Sequence, residues 1–268
     1  MSKEAEKTIK EILKSYKSGE FNEEQVEEKI LKLIYKEGES FLLDLERENR
    51  VGFPEVVLGE GKTLEHLIDI IEKILERKEI VFVSNVTQEQ ETIIREKFSN
   101  FEIKKAGRLI TIKKSNPNYK ISGTVGIITA GTSDVPYAEE CALILEELGV
   151  NVLKSYDAGV AGIHRPFLAL KRMKKAELLI IFAGMEGVLP TLIASLTDLP
   201  IIAVPTPIGY GFGGQGTGAL TTMLQTCVPG ILVVNIGNSI GAAAGAVRIL
   251  KAIRRNKIGE VREDKKSY

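Results

Sequence analysis

Five short apolar segments alternate with helical patterns through the second half of this 268-residue chain. The segments are nearly continuous in Val, Ile and Leu, which is typical of parallel strands that are buried on both faces. They lie at 124–130, 150–155, 177–183, 201–205 and 231–236, with helical patterns at about 136–148, 165–175, 188–196, 218–226 and 240–255. This order predicts an α/β domain in which helices cover both faces of a parallel sheet.

The first 118 residues show a different organisation. Helical patterns at 3–17, 22–36, 63–77 and 88–98 are interspersed with strand-type runs at 41–45, 55–59, 80–86, 101–105 and 108–114. We expect a small α+β domain at 1–118, a catalytic domain at 119–257 and a disordered charged tail at 258–268. Turn-forming residues at 115–120 predict the linker between the two domains.

Composition narrows the function classes. Lys and Arg number 36, as do Asp and Glu, so no basic excess favours a nucleic acid partner. Two cysteines are too few for a disulfide framework and fit a reducing compartment. The first residues are charged rather than signal-like, and no run of about 18 apolar residues predicts a membrane span. We therefore expect a cytoplasmic protein with no membrane contact.

Ligands of open parallel sheets bind at the carboxyl ends of the strands, so the loops there are the candidate sites. Gly131, Thr132, Ser133 and Asp134 follow the first strand. The glycine allows close backbone approach, and the hydroxyls and the next helix start can bind an anion. Equally, Ser133 or Asp134 is an ordinary N-cap that binds nothing.

The next two loops carry ionisable groups. His164 can move a proton and Arg165 can hold a phosphate or carboxylate, although both also fit a solvated helix start. Glu186 lies between Met185 and Gly187 after the third strand. It could act as a base, orient a substrate or bind magnesium, or it could only stabilise the start of the next helix.

The last loops are rich in glycine and amides. Six glycines fall within positions 209–218, which indicates a lid, a backbone cradle or a tight subunit contact. Cys227 follows near a helix end, where a cysteine is most often a small buried hydrophobe, and the same holds for Cys141. Asn235 and Asn238 end the fifth strand with groups suited to polar ligand atoms.

Five motifs occur in order: GTSDVP at 131–136, DAGVAGIHRP at 157–166, AGMEG at 183–187, PTPIGYG at 205–211, and TCVPG with VVNIGNS at 226–239. Together they resemble the pyridinium-3,5-biscarboxylic acid mononucleotide synthase (LarB) family, whose catalytic domain is similar to the AIR carboxylase fold, a flavodoxin-like three-layer αβα sheet. A weaker resemblance covers 44–57. Gly237 departs from the family pattern, which has an aspartate there.

The resemblance implies carboxylation of nicotinic acid adenine dinucleotide at C5 of its pyridinium ring, then hydrolysis of the phosphoanhydride to release AMP. It assigns the nucleophile to Cys227 and supporting catalytic roles to Glu186, His164 and Asp157. It also implies Mg²⁺ for the hydrolysis, with metal ligands unknown, and carbon dioxide or bicarbonate as co-substrate. The implied substrate-binding residues are Gly131, Thr132, Ser133, Asp134, Arg165, Gly184, Met185, Gly209, Tyr210, Gly211, Asn235 and Asn238.

Enzymes of this fold form homo-oligomers, with the octamer as the family's arrangement, and the small residues at 241–246 would allow close helix contact. Two alternatives to the synthase stay open. One is a carboxylase or mutase of purine biosynthesis, which needs no thiol and lacks an N-terminal extension. The other is a non-catalytic nucleotide-sensing module, which gives no reason for Glu186, His164 and Cys227 at strand ends.

Overall fold

The computed structural model describes residues 3–37, 42–44, 47–114 and 121–264. The predicted linker at 115–120 and the last four residues lie outside the described residues, as does part of the segment 44–57. The chain divides into two compact units, one of residues 1–104 with 108–118 and one of residues 105–107 with 119–268. None of the helices in these described ranges is long and apolar enough to cross a membrane.

The first unit begins with a pair of helices. These are α1 (Lys3–Lys17) and α2 (Glu23–Ile34), which are followed by the antiparallel pair β1 (Tyr35–Glu37) and β2 (Leu42–Asp44) and by the short helix α3 (Arg47–Val51). The sequence analysis predicted neither β1 nor α3. Elements of three to five residues are too short to carry a periodic pattern.

A mixed sheet forms the rest of this unit. Its elements are β3 (Val56–Leu58), α4 (Leu64–Arg77), β4 (Ile80–Ser84), α5 (Gln88–Lys97), β5 (Glu102–Ala106) and β6 (Leu109–Lys113). The strand order is β3-β4-β6-β5, with β3 parallel and β6 antiparallel to β4. Leu67 and Ile71 of α4 and Ile94 of α5 are fully buried in one core with residues of the sheet. The predicted small α+β unit is confirmed.

The second unit contains a five-stranded parallel sheet. Its elements are β7 (Thr124–Thr129), α6 (Val135–Glu147), β8 (Asn151–Ser155), α7 (His164–Arg172), β9 (Leu178–Ala183), α8 (Leu189–Ala194), β10 (Ile201–Pro205), α9 (Thr217–Leu224), β11 (Ile231–Val233) and α10 (Ser239–Asp264). The strand order is β11-β10-β9-β7-β8. This order confirms the predicted flavodoxin-like sheet.

Helices cover both faces of this sheet. Helices α6 and α10 pack against each other on one face, and residues of α7, α8 and α9 share a core on the other. Every residue of β9 is buried because this central strand has neighbours on both edges and helices on both faces. Such continuous burial explains the unbroken apolar pattern of the strand.

Small residues bring α10 close to its neighbours. Ala242, Ala243 and Ala246 are fully buried within the unit, and a Cβ on Gly245 would lie 3.2 Å from Ile202 Cδ1. The run that the sequence analysis connected with subunit contacts is therefore used at least in part for packing inside the chain. Helix α10 also continues to Asp264, past the domain end predicted at residue 257.

The chain connections diverge between β7 and β9. Strand β8 lies on the outer side of β7, whereas β9, β10 and β11 follow one another on the other side. The crossovers that leave β7 and β9 therefore run in opposite directions, which opens a crevice at the carboxyl ends of these two strands.

Candidate active site

A cleft of about 470 Å³ lies at this crevice, a volume within the usual range for small-molecule sites. Loops after β7, β8 and β9 supply most of its lining. The lining includes eight residues predicted as site residues: Gly131, Thr132, Ser133, Asp134, Asp157, Gly184, Met185 and Glu186. It also includes Ala130, Gly159, Val160, Ala161, Ala183, Gly187, Val188, Leu189 and Ile208, none of which the sequence analysis assigned to the site.

The loop after β7 separates exposed hydroxyls from a buried carboxylate. Thr132 and Ser133 are exposed in a single turn of 3-10 helix that leads into α6. Asp134 is only 3% exposed, and it makes no capping hydrogen bond to α6. Its carboxylate accepts hydrogen bonds from the Gly131 amide at 2.8 Å and from Thr206 Oγ1 at 2.5 Å. Asp134 thus differs from the simple N-cap considered from sequence.

Burial raises the pKa of Asp134 above the usual aspartate value, while hydrogen bonds from Thr206, Gly131 and the Gly184 backbone act in the opposite direction. The carboxylate is thus surrounded by donors although it is removed from water. Thr206 is itself fully buried. The sequence analysis did not assign Thr206 to the site, and only its position directly after a strand could have indicated it.

The loop after β8 contains an ion pair. Arg165 Nη1 lies 3.0 Å from Asp157 Oδ2, with both side chains about half exposed. Asp157 has a left-handed backbone (φ 55°), and its amide donates to Thr129 Oγ1. His164 is the exposed first residue of α7 and does not line the cleft. Asp157, to which the resemblance assigns a supporting catalytic role, therefore pairs with Arg165.

A tight turn presents Glu186 to the cleft. The amide of Gly187 donates to the Gly184 carbonyl at 2.9 Å, which closes a four-residue turn. Met185 adopts a left-handed backbone (φ 50°) at its second position, an unusual conformation for a residue with a side chain. Glu186 is exposed and lies outside the first turn of α8. This placement suits a group that contacts a ligand better than one that only stabilises α8.

The glycine-rich loop after β10 borders the cleft through Ile208, whereas Gly209, Tyr210 and Gly211 do not line it. Tyr210 is 83% exposed and Phe212 is fully exposed. Gly216 has φ 83°, and a Cβ there would lie 2.8 Å from the Thr206 carbonyl oxygen. One of the six glycines is thus required where α9 begins close to β10.

The two cysteines occupy opposite environments. Cys141 is buried in α6, and burial raises the pKa of its thiol. Cys227 is exposed in the segment between α9 and β11. Beside it, Thr226 Oγ1 accepts hydrogen bonds from Thr191 Oγ1 at 2.9 Å and from the Val228 amide at 3.2 Å. Cys227 therefore does not have the buried position that is usual for a lone cysteine.

Cys227 does not line the cleft of its own chain. Its segment enters the amino end of β11, whereas Glu186 follows the carboxyl end of β9. In a parallel sheet, the amino ends of the strands lie on one side of the sheet and their carboxyl ends lie on the opposite side. Cys227 is therefore outside the lining of its own cleft, although the neighbouring Thr226 contacts Thr191 of α8.

The predicted amides shape the turn that leads into α10. Asn235 Oδ1 accepts from the Ile236 amide at 2.8 Å, and Asn238 Oδ1 accepts from the Gly241 amide at 2.7 Å. Neither residue lines the cleft. Gly237, which stands where the family pattern has aspartate, has φ 66°, a conformation that glycine adopts readily.

The acidic side chains of the described residues bear on whether the protein could hold a metal ion by itself. Across the described residues, no three His, Cys, Asp or Glu side chains are grouped so that they could hold a metal ion. Asp134 accepts hydrogen bonds from several donors and Asp157 pairs with Arg165. The described residues therefore offer no group of three such side chains for the magnesium ion implied by the resemblance.

Both parts of the chain match known protein families. Residues 124–268 match the family described as AIR carboxylase, and residues 35–114 match the LarB/PurE-like N-terminal domain. The chain belongs to the AIR carboxylase family. Its AIR carboxylase domain contains every residue of the cleft.

Individual relatives agree with this assignment. An uncharacterized protein of Methanocaldococcus jannaschii is 40% identical over 257 residues, which are 93% of this chain and 99% of that protein. The N5-carboxyaminoimidazole ribonucleotide mutase of Pyrococcus horikoshii is 35% identical over 166 residues, which are 60% of this chain and 85% of that enzyme. Such similarity supports a catalytic domain of the AIR carboxylase type.

Proposed function

We propose that this protein carboxylates the pyridinium ring of nicotinic acid adenine dinucleotide at C5 and hydrolyses its phosphoanhydride. The products are pyridinium-3,5-biscarboxylic acid mononucleotide and AMP. The observation that carries this proposal is the LarB/PurE-like N-terminal domain at 35–114 in one chain with an AIR carboxylase domain. The N5-carboxyaminoimidazole ribonucleotide mutase of Pyrococcus horikoshii aligns with only 60% of the chain.

The chemistry explains why an exposed cysteine is useful. A pyridinium cation has no nucleophilic ring carbon, so it does not attack carbon dioxide. Addition of the Cys227 thiolate at C4 gives a dihydropyridine, in which C5 is enamine-like and forms the new carbon–carbon bond. Loss of the C5 proton to a base and expulsion of the thiolate then restore the aromatic ring. Covalent catalysis thus divides one difficult step into easier ones.

The cleft supplies the other groups. Glu186 is exposed at the lining and is our candidate for the base that takes the C5 proton. The exposed hydroxyls of Thr132 and Ser133 lie before the start of α6, where they can donate to the diphosphate. Arg165 neutralises Asp157 and so reduces the negative charge that an anionic substrate meets. The diphosphate of the substrate would supply oxygen ligands for a magnesium ion, because the described residues provide no group of three metal-binding side chains.

The position of Cys227 bears on whether a single subunit can form the complete active site. Because Cys227 does not line the cleft of its own subunit and its segment leads into the amino end of β11, we propose that Cys227 of one copy reaches the cleft of another. This makes the expected homo-oligomer part of the catalytic site. It also predicts that the two residues can be supplied by different chains.

Mixing two inactive variants tests this arrangement. Cys227→Ser and Glu186→Gln are each expected to lose carboxylation. A mixed assembly contains some sites with neither substitution, so co-expression should restore about a quarter of the wild-type rate if two copies share each site. Assemblies without restored activity, shown by differential tags to contain both variants, would refute the shared site.

The overall proposal is tested by mass spectrometry of the reaction with ¹³C-bicarbonate. Wild-type protein should form labelled dicarboxylated mononucleotide with AMP, and Cys227→Ser should form none. A second candidate is the mutase activity for which the relatives are named, which turnover of N5-carboxyaminoimidazole ribonucleotide would reveal. Stoichiometric dinucleotide binding without any product would instead indicate a sensing module.

A further inference from the structure

The carboxylate of Asp134 connects two strand ends, and one of its partners packs against a third. It accepts hydrogen bonds from the Gly131 amide after β7 and from the Thr206 hydroxyl after β10, and Thr206 lies against Gly184 after β9. Strands β7, β9 and β10 are consecutive in the sheet. A single buried side chain thus fixes the relative positions of loops that are as much as 72 residues apart in sequence.

One of these loops carries Glu186. The Met185 amide donates to the Ile208 carbonyl at 2.7 Å, and the Thr206 amide donates to the Ala183 carbonyl at 3.0 Å. Thr206 Oγ1 also lies only 2.8 Å from the place a Cβ would take on Gly184. The turn that presents Glu186 is therefore held against the residues that Asp134 binds.

Direct contact between Asp134 and a substrate phosphate is physically unfavourable. The side chain is almost completely buried, and its oxygens already accept from protein donors. An ionised carboxylate would also repel a phosphate. The exposed Thr132 and Ser133 are better placed for that contact, so Asp134 has another role than the one predicted from sequence.

We infer that Asp134 and Thr206 are positioning residues that hold the 184–187 turn so that Glu186 can take the C5 proton. This inference rests on the proposed function, since it presumes that Glu186 is the base. Misplacement of a catalytic group by about 1 Å costs up to about 100-fold in rate. Loss of the Thr206 hydroxyl should therefore lower kcat by about 10- to 100-fold with little change in KM.

The test compares Thr206→Val with Thr206→Ser, using nicotinic acid adenine dinucleotide that carries hydrogen or deuterium at ring C5. Removal of the C5 proton becomes slower in Thr206→Val, so the deuterium effect on kcat should increase, and Thr206→Ser should restore the wild-type value. A smaller fraction of folded enzyme would lower kcat without changing the deuterium effect. Thr111→Val is the matched control, because Thr111 is equally buried and its hydroxyl has no partner among the described residues.

Two outcomes overturn the inference. One is an unchanged kcat and deuterium effect in Thr206→Val. The other is a raised KM with unchanged kcat, which would make the pair a substrate contact. If Thr206→Val does not fold, Asp134→Asn, which preserves side-chain volume, is held to the same two criteria. Wild-type protein that makes no dicarboxylated product refutes the proposed function itself, so the two failures are distinguishable.

Discussion

Replacement of Gly184 by alanine should separate the loops that follow β9 and β10. A Cβ at this position would lie 2.4 Å from the Ile208 carbonyl oxygen and 2.8 Å from both Ile208 Cβ and Thr206 Oγ1. Ordinary contacts begin at 3.4 Å, so the carbonyl would have to move by roughly 1 Å. Because the closest atom is backbone, a change of side-chain rotamer cannot relieve the clash.

Overpacking of this kind costs about 1–3 kcal/mol in free energy of unfolding. For a unit of this size, each kcal/mol lowers the melting temperature by about 2–4 °C. Calorimetry and urea unfolding of Gly184→Ala should both show the loss. Carboxylation should decrease further than stability explains, since the displaced turn carries Glu186.

Gly131→Ala is the matched control. Gly131 has φ −124°, and the atom closest to a Cβ added there would be Asp134 Oδ2, at an ordinary 3.7 Å. This variant should keep wild-type stability or gain up to about 1 kcal/mol from the lower entropy of its unfolded chain. A Gly184→Ala protein with the same melting temperature as wild type would show that the loops after β9 and β10 are not packed as described.

Three further predictions concern charge and packing. Since burial raises the folded-state pKa of Asp134, its contribution to stability is present below the ordinary aspartate pKa of about 4 and is lost as pH rises through the folded value. The difference in unfolding free energy, wild type minus Asp134→Asn, should thus decrease over that range in urea titrations; a constant difference would contradict this. Phe182→Ala removes a fully buried ring from β9 and should lower the free energy of unfolding by about 3–5 kcal/mol in the same assay. A loss below about 1 kcal/mol would contradict this expectation. Arg165→Met should change stability by less than about 1 kcal/mol but raise KM for the dinucleotide, because Asp157 is left unneutralised; steady-state kinetics with an unchanged KM would exclude that role.

Most of the fold could be predicted because a strand that is buried on both faces shows a continuous run of apolar residues in the sequence. The continuous apolar runs at 177–183 and 201–205 correspond to β9 and β10 within one residue. The run at 231–236 was too long, since β11 ends at Val233. This strand pairs only with β10 at the edge of the sheet, and the Asn235 side chain binds the next backbone amide. Apolar composition alone does not mark where pairing stops.

Hydrogen bonds between near neighbours in the sequence are easier to predict than bonds between distant residues. Thr87 directly precedes the helical pattern at 88–98, and it forms a capping box with Gln90. Thr63, at the start of the helical pattern at 63–77, is a simple N-cap whose side chain accepts a hydrogen bond from the His66 amide. A cap involves residues three apart, so short patterns indicate it. The Asp134–Thr206 hydrogen bond joins residues 72 positions apart and has no such local signature.

The segment around Cys227 connects the chemistry with assembly. Near it in sequence, Leu224 is 65% exposed and Leu232 is 55% exposed, and the latter lies on the edge strand β11. Contact with a second copy would cover these exposed apolar side chains and the open edge of β11. Under the proposed sharing of the site, this contact is the one that brings Cys227 to a neighbouring cleft, where Glu186 lies at the lining. Replacement of Leu232 by a lysine should therefore weaken both assembly, measured by light scattering, and carboxylation at low protein concentration. A variant that loses assembly but keeps full carboxylation would place the whole reaction within one subunit, which would refute the proposed sharing of the site between copies.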